Sequence, residues 1–349
     1  MEIFGRELGK ECFIIAEAGS NHNGDVKIGK KLIEAAKQAG ADAVKFQAFK
    51  TEELVIKNAP KAGYMKKGKE KDLFEVLKKL ELGENQHKEL FDYAQKVGIP
   101  IFWSVFDRKS ADMIEGIGAE IFKTGSGELT DIPLLKYLAE KGKPIIISTG
   151  MSDLEEVRNA VEAVGKNIAL LHCTTGYPCK IEDVNLRAMK TLAEEFNVPV
   201  GYSDHTLGIE VSLAAVMEGA CMIERHLTLD KEMEGPDHKM SLNTREFSRL
   251  VEGVREIENG KKVTIKDFEI ILGSEKKQPS KNELEERVWA RKSVVARTNI
   301  KKGETIAEKM LAVKRPGTGL SPNKYWSLIG KTAIKAIEKD EQIKFNLIK

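Results

Sequence analysis

Three short spacings in this 349-residue chain carry residue types that do chemistry. Ser203-Asp204-His205, Glu224-Arg225-His226 and Lys45-Phe46-Gln47 each put two polar groups two positions apart in largely apolar runs. Side chains two apart on an extended strand share a face, so each pair can point one way. Two neutral imidazoles from neighbouring strands could hold one divalent ion and leave positions open for substrate and water. Taken singly, His205 or His226 could equally bond to its surroundings with no ion present. Taken together at adjacent strand ends they favour a metal, of the manganese or magnesium kind rather than a closed structural zinc site. Lys45 and Lys123, with Ser126 and Ser203, suit an anion cradle, because an ammonium group is costly to desolvate without an anionic partner. Pairing of the two lysines with Glu17 and Glu224 is the competing explanation.

Such residues need strands to bring them together. β-rich runs occur near residues 12–18, 42–48, 100–106, 120–126, 144–150, 168–174, 199–205 and 221–227, with amphipathic stretches such as "IGKKLIEAAKQAG" and "ENQHKELFDYAQKVG" between them. Eight such units over residues 1–272 predict a closed α/β (β/α)8 TIM barrel, with an open doubly wound sheet as the alternative. Glu17, Lys45 and Gln47, Ser104, Lys123 and Ser126, Ser203 and His205, and Glu224 and His226 all fall at the C-terminal ends of their runs, where barrel enzymes keep their chemistry. His172 either lines that mouth or belongs to the core, and His87, on a helical pattern, is expected at the surface. His22 and His238 carry no assignment. The insertion "FKTEELVIKNAPKAGYMKKGKEKD" is expected to be a mouth lid or a solvated loop.

Residues 273–289 are a polar linker, and residues 290–349 predict a small β-rich module whose core is too small to do without a surface to lean on. The net charge of +2, from 56 basic and 54 acidic residues, gives no reason to expect nucleic acid or an anionic membrane as partner. Four cysteines without a CxxC pair read as buried free thiols in a reducing compartment. No signal pattern and no long apolar run is present, so a cytoplasmic location is expected.

The segments "EAGSNHNGD", "DAVKFQAFK", "FKTGSGELTDIP", "PIIISTGMSD", "LLHCTTGYP", "GYSDHTLG", "ERHLTLD", "GPDHKMSL" and "KRPGTG" occur in this order, and with them the chain resembles the sialic acid synthases of the N-acetylneuraminate synthase type. The resemblance implies a metal-dependent barrel that condenses phosphoenolpyruvate with an N-acyl hexosamine such as N-acetylmannosamine and releases phosphate by C–O cleavage. It also implies a C-terminal antifreeze-like (SAF) module covering the partner's barrel in a domain-swapped homodimer. By the same resemblance His205 and His226 are the ligands of a divalent ion, Mn2+ with Mg2+ or Co2+ as alternatives. Lys45, Lys123, Ser126, Ser203 and Thr175 bind phosphoenolpyruvate. Glu17, Gln47, Tyr177 and Asp237 bind the sugar, joined by Arg315 from the partner subunit and by Lys292. Glu17 and Glu224 serve catalysis with the two histidines. Sister synthases making legionaminic or pseudaminic acid from a 2,4-diacetamido-trideoxyhexose, or using a phosphorylated mannosamine, are the alternative enzymes. An inactive carbohydrate-binding protein is the alternative of another class, and the presence of Lys45, His205, His226 and Arg315 speaks against it.

Overall fold

The computed structural model describes residues 1–65 and 69–349. Its strands β1 (Phe13–Gly19), β2 (Ala43–Ala48), β3 (Ile101–Val105), β4 (Phe122–Thr124), β5 (Ile145–Ser148), β6 (Ile168–Cys173), β7 (Val200–Asp204) and β8 (Met222–Thr228) pair in parallel, each with the next. Pairing of β8 with β1, from Met222 opposite Phe13 to His226 opposite Glu17, closes the barrel and excludes the open sheet. The fourth strand is shorter than its apolar run, because the chain leaves the sheet at Gly125 and turns into a 3-10 segment, Ser126–Glu128.

Around the barrel lie helices α1 (Val26–Gln38), α2 (Glu84–Val97), α3 (Arg108–Ile117), α4 (Ile132–Glu140), α5 (Leu154–Val164), α6 (Ala188–Phe196), α7 (Glu210–Met217) and α8 (Thr244–Glu258). Five start on a side-chain cap from Asp25, Asp107, Asp131, Asp153 or Asn243. Each cap satisfies a backbone N–H left over in the first turn and is worth about 1 kcal/mol.

The interior divides by height. Its floor is apolar, built from Phe13, Ile15, Phe102, Ile146, Leu171 and Met222. Gly201 belongs to that layer because a Cβ there would lie 2.3 Å from Met222 Cγ. A hairpin of Glu2–Ile3 and Arg6–Glu7, not anticipated from the sequence, plugs the floor with Phe4, whose ring centroid is 6.3 Å from Phe13 and 5.9 Å from Phe102. Above the floor Glu17, Lys45, Ser104, Lys123, Ser148, Ser203 and Glu224 line the pocket.

The insertion after β2 is no loose loop where it is described. Short helices Thr51–Leu54 and Leu73–Leu80 bury Leu54, Val55, Leu73 and Leu77 against Phe49 and Phe106. Lys66, Lys67 and Gly68 of this insertion lie outside the described residues. The linker is also structured: Lys281–Ala290 forms helix α9, started by a Ser280–Glu283 capping box. In the module after it, β9 (Ser293–Ala296) and β10 (Leu311–Lys314) pair antiparallel over a core of Val294, Ile300, Leu311, Leu328, Ile337 and Ile343. All four cysteines are buried and free, and no described helix is long and apolar enough to cross a membrane.

His87 corrects its surface expectation. With Leu90 and Ala94 it occupies the i, i+3, i+7 stripe by which α2 faces the barrel, and its Nδ1 accepts from Trp103 Nε1 at 3.1 Å. His172 proves to be core: its Nε2–H donates to Val184 O at 2.8 Å, and its ring packs on Tyr202. Burial pushes His22 down to about 4 and His87 and His172 to about 3, so all three are neutral in the folded protein. The unfolded chain takes up these protons below about pH 6.5, so stability is full above that value and falls as pH drops toward 4. Each histidine should remove roughly 2 kcal/mol between pH 7 and pH 5. Thermal melts over that range should show a steep loss of Tm, and His87→Gln, which keeps an acceptor for Trp103, should flatten it. An unchanged slope in that variant would show that His87 titrates normally.

Candidate active site

The polar tier is a set of interlocked charges. Lys45 Nζ lies 2.5 Å from Glu17 Oε2, donates to Ser104 Oγ at 2.7 Å and lies 3.5 Å from Glu224 Oε1. Lys123 Nζ donates to Ser148 Oγ at 2.7 Å and to Thr124 O at 3.1 Å, with Glu224 Oε1 at 3.6 Å. Glu224 thus stands between the two ammonium groups, with Ser203 Oγ donating to it at 3.4 Å. Lys45 is therefore paired with both Glu17 and Glu224, and Lys123 with Glu224. This pairing keeps two cations buried beneath an open pocket, where an arriving anion can share them.

The two carboxylates are driven apart. Burial pushes Glu17 up, against the pull of Lys45. Burial also acts to raise Glu224, but Lys123 and Lys45 outweigh it and hold that carboxyl below its ordinary value. Opposed shifts in neighbouring carboxyls are how one site keeps a proton carrier beside a fixed anion. Gln47 Nε2 donates to Glu17 Oε1 at 3.0 Å and fixes its rotamer.

On the next two staves the rings of His205 and His226 face each other, centroids 5.5 Å apart and planes at 52°. His205 Nδ1 lies 3.1 Å from Thr174 O; donating there assigns a hydrogen to Nδ1 and makes Nε2 the nitrogen that titrates and could bind an ion once deprotonated. Burial alone would lower His205, but Cys173 Sγ at 3.7 Å raises it to about 8. Burial, with His205 beside it, holds His226 well below its ordinary value, and its Nδ1 is buried without a hydrogen-bond partner. Asp237 Oδ2 is 3.9 Å from that nitrogen and accepts from Ser20 Oγ at 3.3 Å. Burial raises this carboxyl to about 6. An unprotonated imidazole with an unpartnered nitrogen beside a second imidazole fits a divalent ion with open positions. Among the described residues no three His, Cys, Asp or Glu side chains form a closed cage.

Asp204, between the two inward residues of β7, points outward and explains the local shape. It accepts from Thr206 N and Oγ1, both at 2.8 Å, and pairs with buried Arg225 at 3.1 Å. Arg225 in turn donates to Thr206 O at 2.7 Å and Gly208 O at 2.8 Å, so the loop after His205 is tied from behind.

One pocket is lined by Glu17, Lys45, Gln47, Lys123, Ser126 and Thr175, and further by Tyr177, Ser203, His205, Glu224, His226, Asp237 and Arg315. Lys292 is the expected site residue that does not reach it. Its Nζ points behind the pocket, donating to Phe106 O at 2.6 Å and Asp131 Oδ2 at 3.0 Å, with Glu128 Oε1 at 3.5 Å. Arg315 lines the same pocket, brought there within this one chain by the loop after β10. Its N–H donates to Leu54 O at 2.8 Å and its carbonyl accepts from Ile56 N at 3.1 Å, which seats the module on the insertion. The guanidinium lies over Phe106 and Trp289, 5.5 and 5.6 Å from their centroids, and 3.4 Å from Glu128 Oε1.

Sequence reasoning missed Glu128 and Trp289, and it missed the apolar wall of Phe49, Leu73, Leu77, Leu80 and Phe106. Glu128 lies in the "FKTGSGELTDIP" segment, two positions beyond Ser126, but only the 3-10 turn aims it at the mouth.

A polar barrel mouth with two buried lysines, paired histidines and an appended β-rich lid defines a barrel synthase with a C-terminal SAF domain. Residues 32–266 match the NeuB family and residues 291–349 the SAF domain, and the chain belongs to that family, the sialic acid synthases. It is 46% identical over 329 residues to the N,N'-diacetyllegionaminic acid synthase of Legionella pneumophila, covering 91% of this chain and 89% of that protein. It is 45% identical to the enzyme of the same name from Campylobacter jejuni, covering 96% of this chain and 99% of the relative. The crystal structure of the spore coat polysaccharide biosynthesis protein SpsE from Bacillus subtilis superposes with a TM-score of 0.85 at 33% identity, over 100% of this chain and 99% of that one. Enzymes of the family condense phosphoenolpyruvate with an amino sugar.

Proposed function

We propose that this chain condenses phosphoenolpyruvate with a 2,4-diacetamido-trideoxyhexose and water, giving an N,N'-diacetyllegionaminate-type nine-carbon acid and phosphate. Among the acceptors the sequence left open, this one is preferred to N-acetylmannosamine for two reasons. The two relatives above are named for diacetyllegionaminic acid, at 46% and 45% identity. The pocket also carries one apolar wall, Leu73, Leu77, Leu80, Phe49 and Phe106, suited to a sugar that ends in a methyl group. Its only lysines and arginines among the described residues are Lys45, Lys123 and Arg315. With the lysines engaged by phosphoenolpyruvate, a phosphate on the sugar would compete for the single arginine.

Lys45 and Lys123, helped by Ser126, Ser203 and Thr175, hold the carboxylate and phosphate so that C3 of the enol faces the acceptor aldehyde and attack is effectively unimolecular. Gln47, Tyr177 and Asp237 orient the open-chain sugar, and Arg315 takes an N-acyl oxygen. The enol π electrons form the new bond from C3 to the aldehyde carbon, and Glu17 gives a proton to the aldehyde oxygen. Water adds at C2 and loses a proton to Glu17. The remaining C2–OH proton passes to the departing phosphate oxygen as the C2–O bond breaks, leaving the ketone and hydrogen phosphate. Glu224 remains an anion and keeps both lysines in register. A divalent ion held by His205 and His226, manganese with magnesium or cobalt as alternatives, supplies Lewis acidity toward the aldehyde when bound.

The observation that carries this reading is the convergence of two buried lysines, two opposed carboxyls and two facing imidazoles in one pocket. Phosphate release with a panel of acceptors tests it. The diacetamido-trideoxyhexose should exceed N-acetylmannosamine in kcat/KM by about 10-fold or more, the scale set by one well-placed acyl contact and one buried methyl. Preference for N-acetylmannosamine or its 6-phosphate would overturn the choice of sugar. No release with any of them would revive the binding-protein reading.

A further inference from the structure

Helix α9 grips the candidate anion cradle from outside the pocket. Glu283, buried and more than a hundred residues along the chain from the loops it touches, accepts from Met151 N at 2.6 Å and Thr175 N at 2.8 Å through a single oxygen, Oε1. Its other oxygen accepts from Ser280 N at 2.9 Å, so the capping box locks its rotamer. The carbonyl of Met151 is held from the same helix side by Arg287 Nε at 2.7 Å and Arg291 Nη2 at 2.8 Å. Met151 has φ of +59°, a left-handed conformation that a non-glycine residue keeps only where its surroundings enforce it.

What this turn controls is the place where β5 and β6 end. Gly150 N donates to Ser126 Oγ at 3.0 Å. A Cβ on Gly150 would lie 2.4 Å from Thr175 Oγ1 and 2.6 Å from Ser126 Oγ, so both hydroxyls close over a spot that tolerates no added atom. Thr175 Oγ1 is buried without a hydrogen-bond partner and lines the pocket.

We propose that Glu283 is a positioning residue of the cradle: by clamping the Met151 and Thr175 backbone amides it sets the Ser126 and Thr175 hydroxyls, and it makes anion binding depend on the seating of α9. This rests on the reading above that the cradle takes phosphoenolpyruvate. The carboxylate never meets the substrate. Its influence passes through two backbone amides whose displacement would open a fit too tight to absorb it.

Calorimetric titration with phosphoenolpyruvate alone, without sugar, tests the inference on the full chain. Glu283→Ala should weaken binding by about 10-fold or more. Glu283→Asp, which keeps the charge and the fold but withdraws the oxygen by one methylene, should weaken it several-fold. Glu283→Gln, which keeps an acceptor at Oε1 but sets an NH2 against Ser280 N–H, should recover part of the affinity lost in the Ala variant. Acceptor-sugar KM should stay within about twofold in all three, since no sugar contact is touched. Wild-type affinity in the Ala or Asp variant, with only Tm lowered, would reduce Glu283 to a fold-holding role and overturn the proposal. A wild-type protein that binds phosphoenolpyruvate but turns over no hexosamine would sink the proposed reaction alone. One that does not bind phosphoenolpyruvate would sink both.

Discussion

Lys123→Met is expected to lower phosphate release by about 10^3-fold and to leave Tm unchanged or slightly raised. The side chain is 2% exposed, and burial pulls its pKa down, so its charge stands in the free protein at a cost. Methionine fills similar volume without that cost, and replacing a buried ion by an apolar group is often neutral or stabilising by about 1–4 kcal/mol. Glu224 keeps Lys45 at 3.5 Å, so no carboxylate is stranded. In the reaction, however, a fixed cation beside a transferring phosphate in a water-poor site is lost, and one such preorganised interaction is worth roughly 10^2–10^3 in rate. Phosphate-release assays paired with thermal melts separate the two effects. Turnover that survives, or that disappears only together with the fold, would remove Lys123 from the cradle.

His226→Ala carries the other large effect, a loss of about 10^3-fold or more in turnover. Its Nδ1 makes no hydrogen bond and burial keeps the ring neutral, so in the free protein the imidazole contributes little but volume. Stability should fall by no more than a cavity of that size requires, about 1–3 kcal/mol. The decisive measurement is a manganese titration after chelation. Wild-type activity should vanish with chelator and return with manganese, whereas the variant should stay inactive at every concentration. Equal restoration in both proteins would mean that the histidines face each other for packing alone. His205→Ala is the less clean probe, because it also strips Cys173 of its neighbour at 3.7 Å.

In both variants the expected loss of turnover is large while the expected loss of stability is small. Arg315 Nε is likewise buried without a partner, although its Nη2 lies near Glu128. Donors left unsatisfied at the ceiling of the pocket and an imidazole left unsatisfied on its wall mark where ligands complete the structure.

The residues along each strand were enough to find the eight runs, the polar strand ends and the shared face of Lys45 with Gln47, Ser203 with His205 and Glu224 with His226. Alternation along a strand is a local property that any chain displays. The stripe of His87, Leu90 and Ala94 was equally visible, and its buried histidine could have been read from the same spacing. Only the folded chain decided that Lys45 and Lys123 share one carboxylate, that Lys292 turns away behind Glu128, and that Arg315 meets Glu128 at the pocket. Glu283 was invisible for the same reason: it lies 132 residues from Met151 and 108 from Thr175 along the chain. Periodicity reports which way a side chain faces on its own element. What it meets there is set by barrel closure and by the docking of a distant helix, which no local pattern encodes.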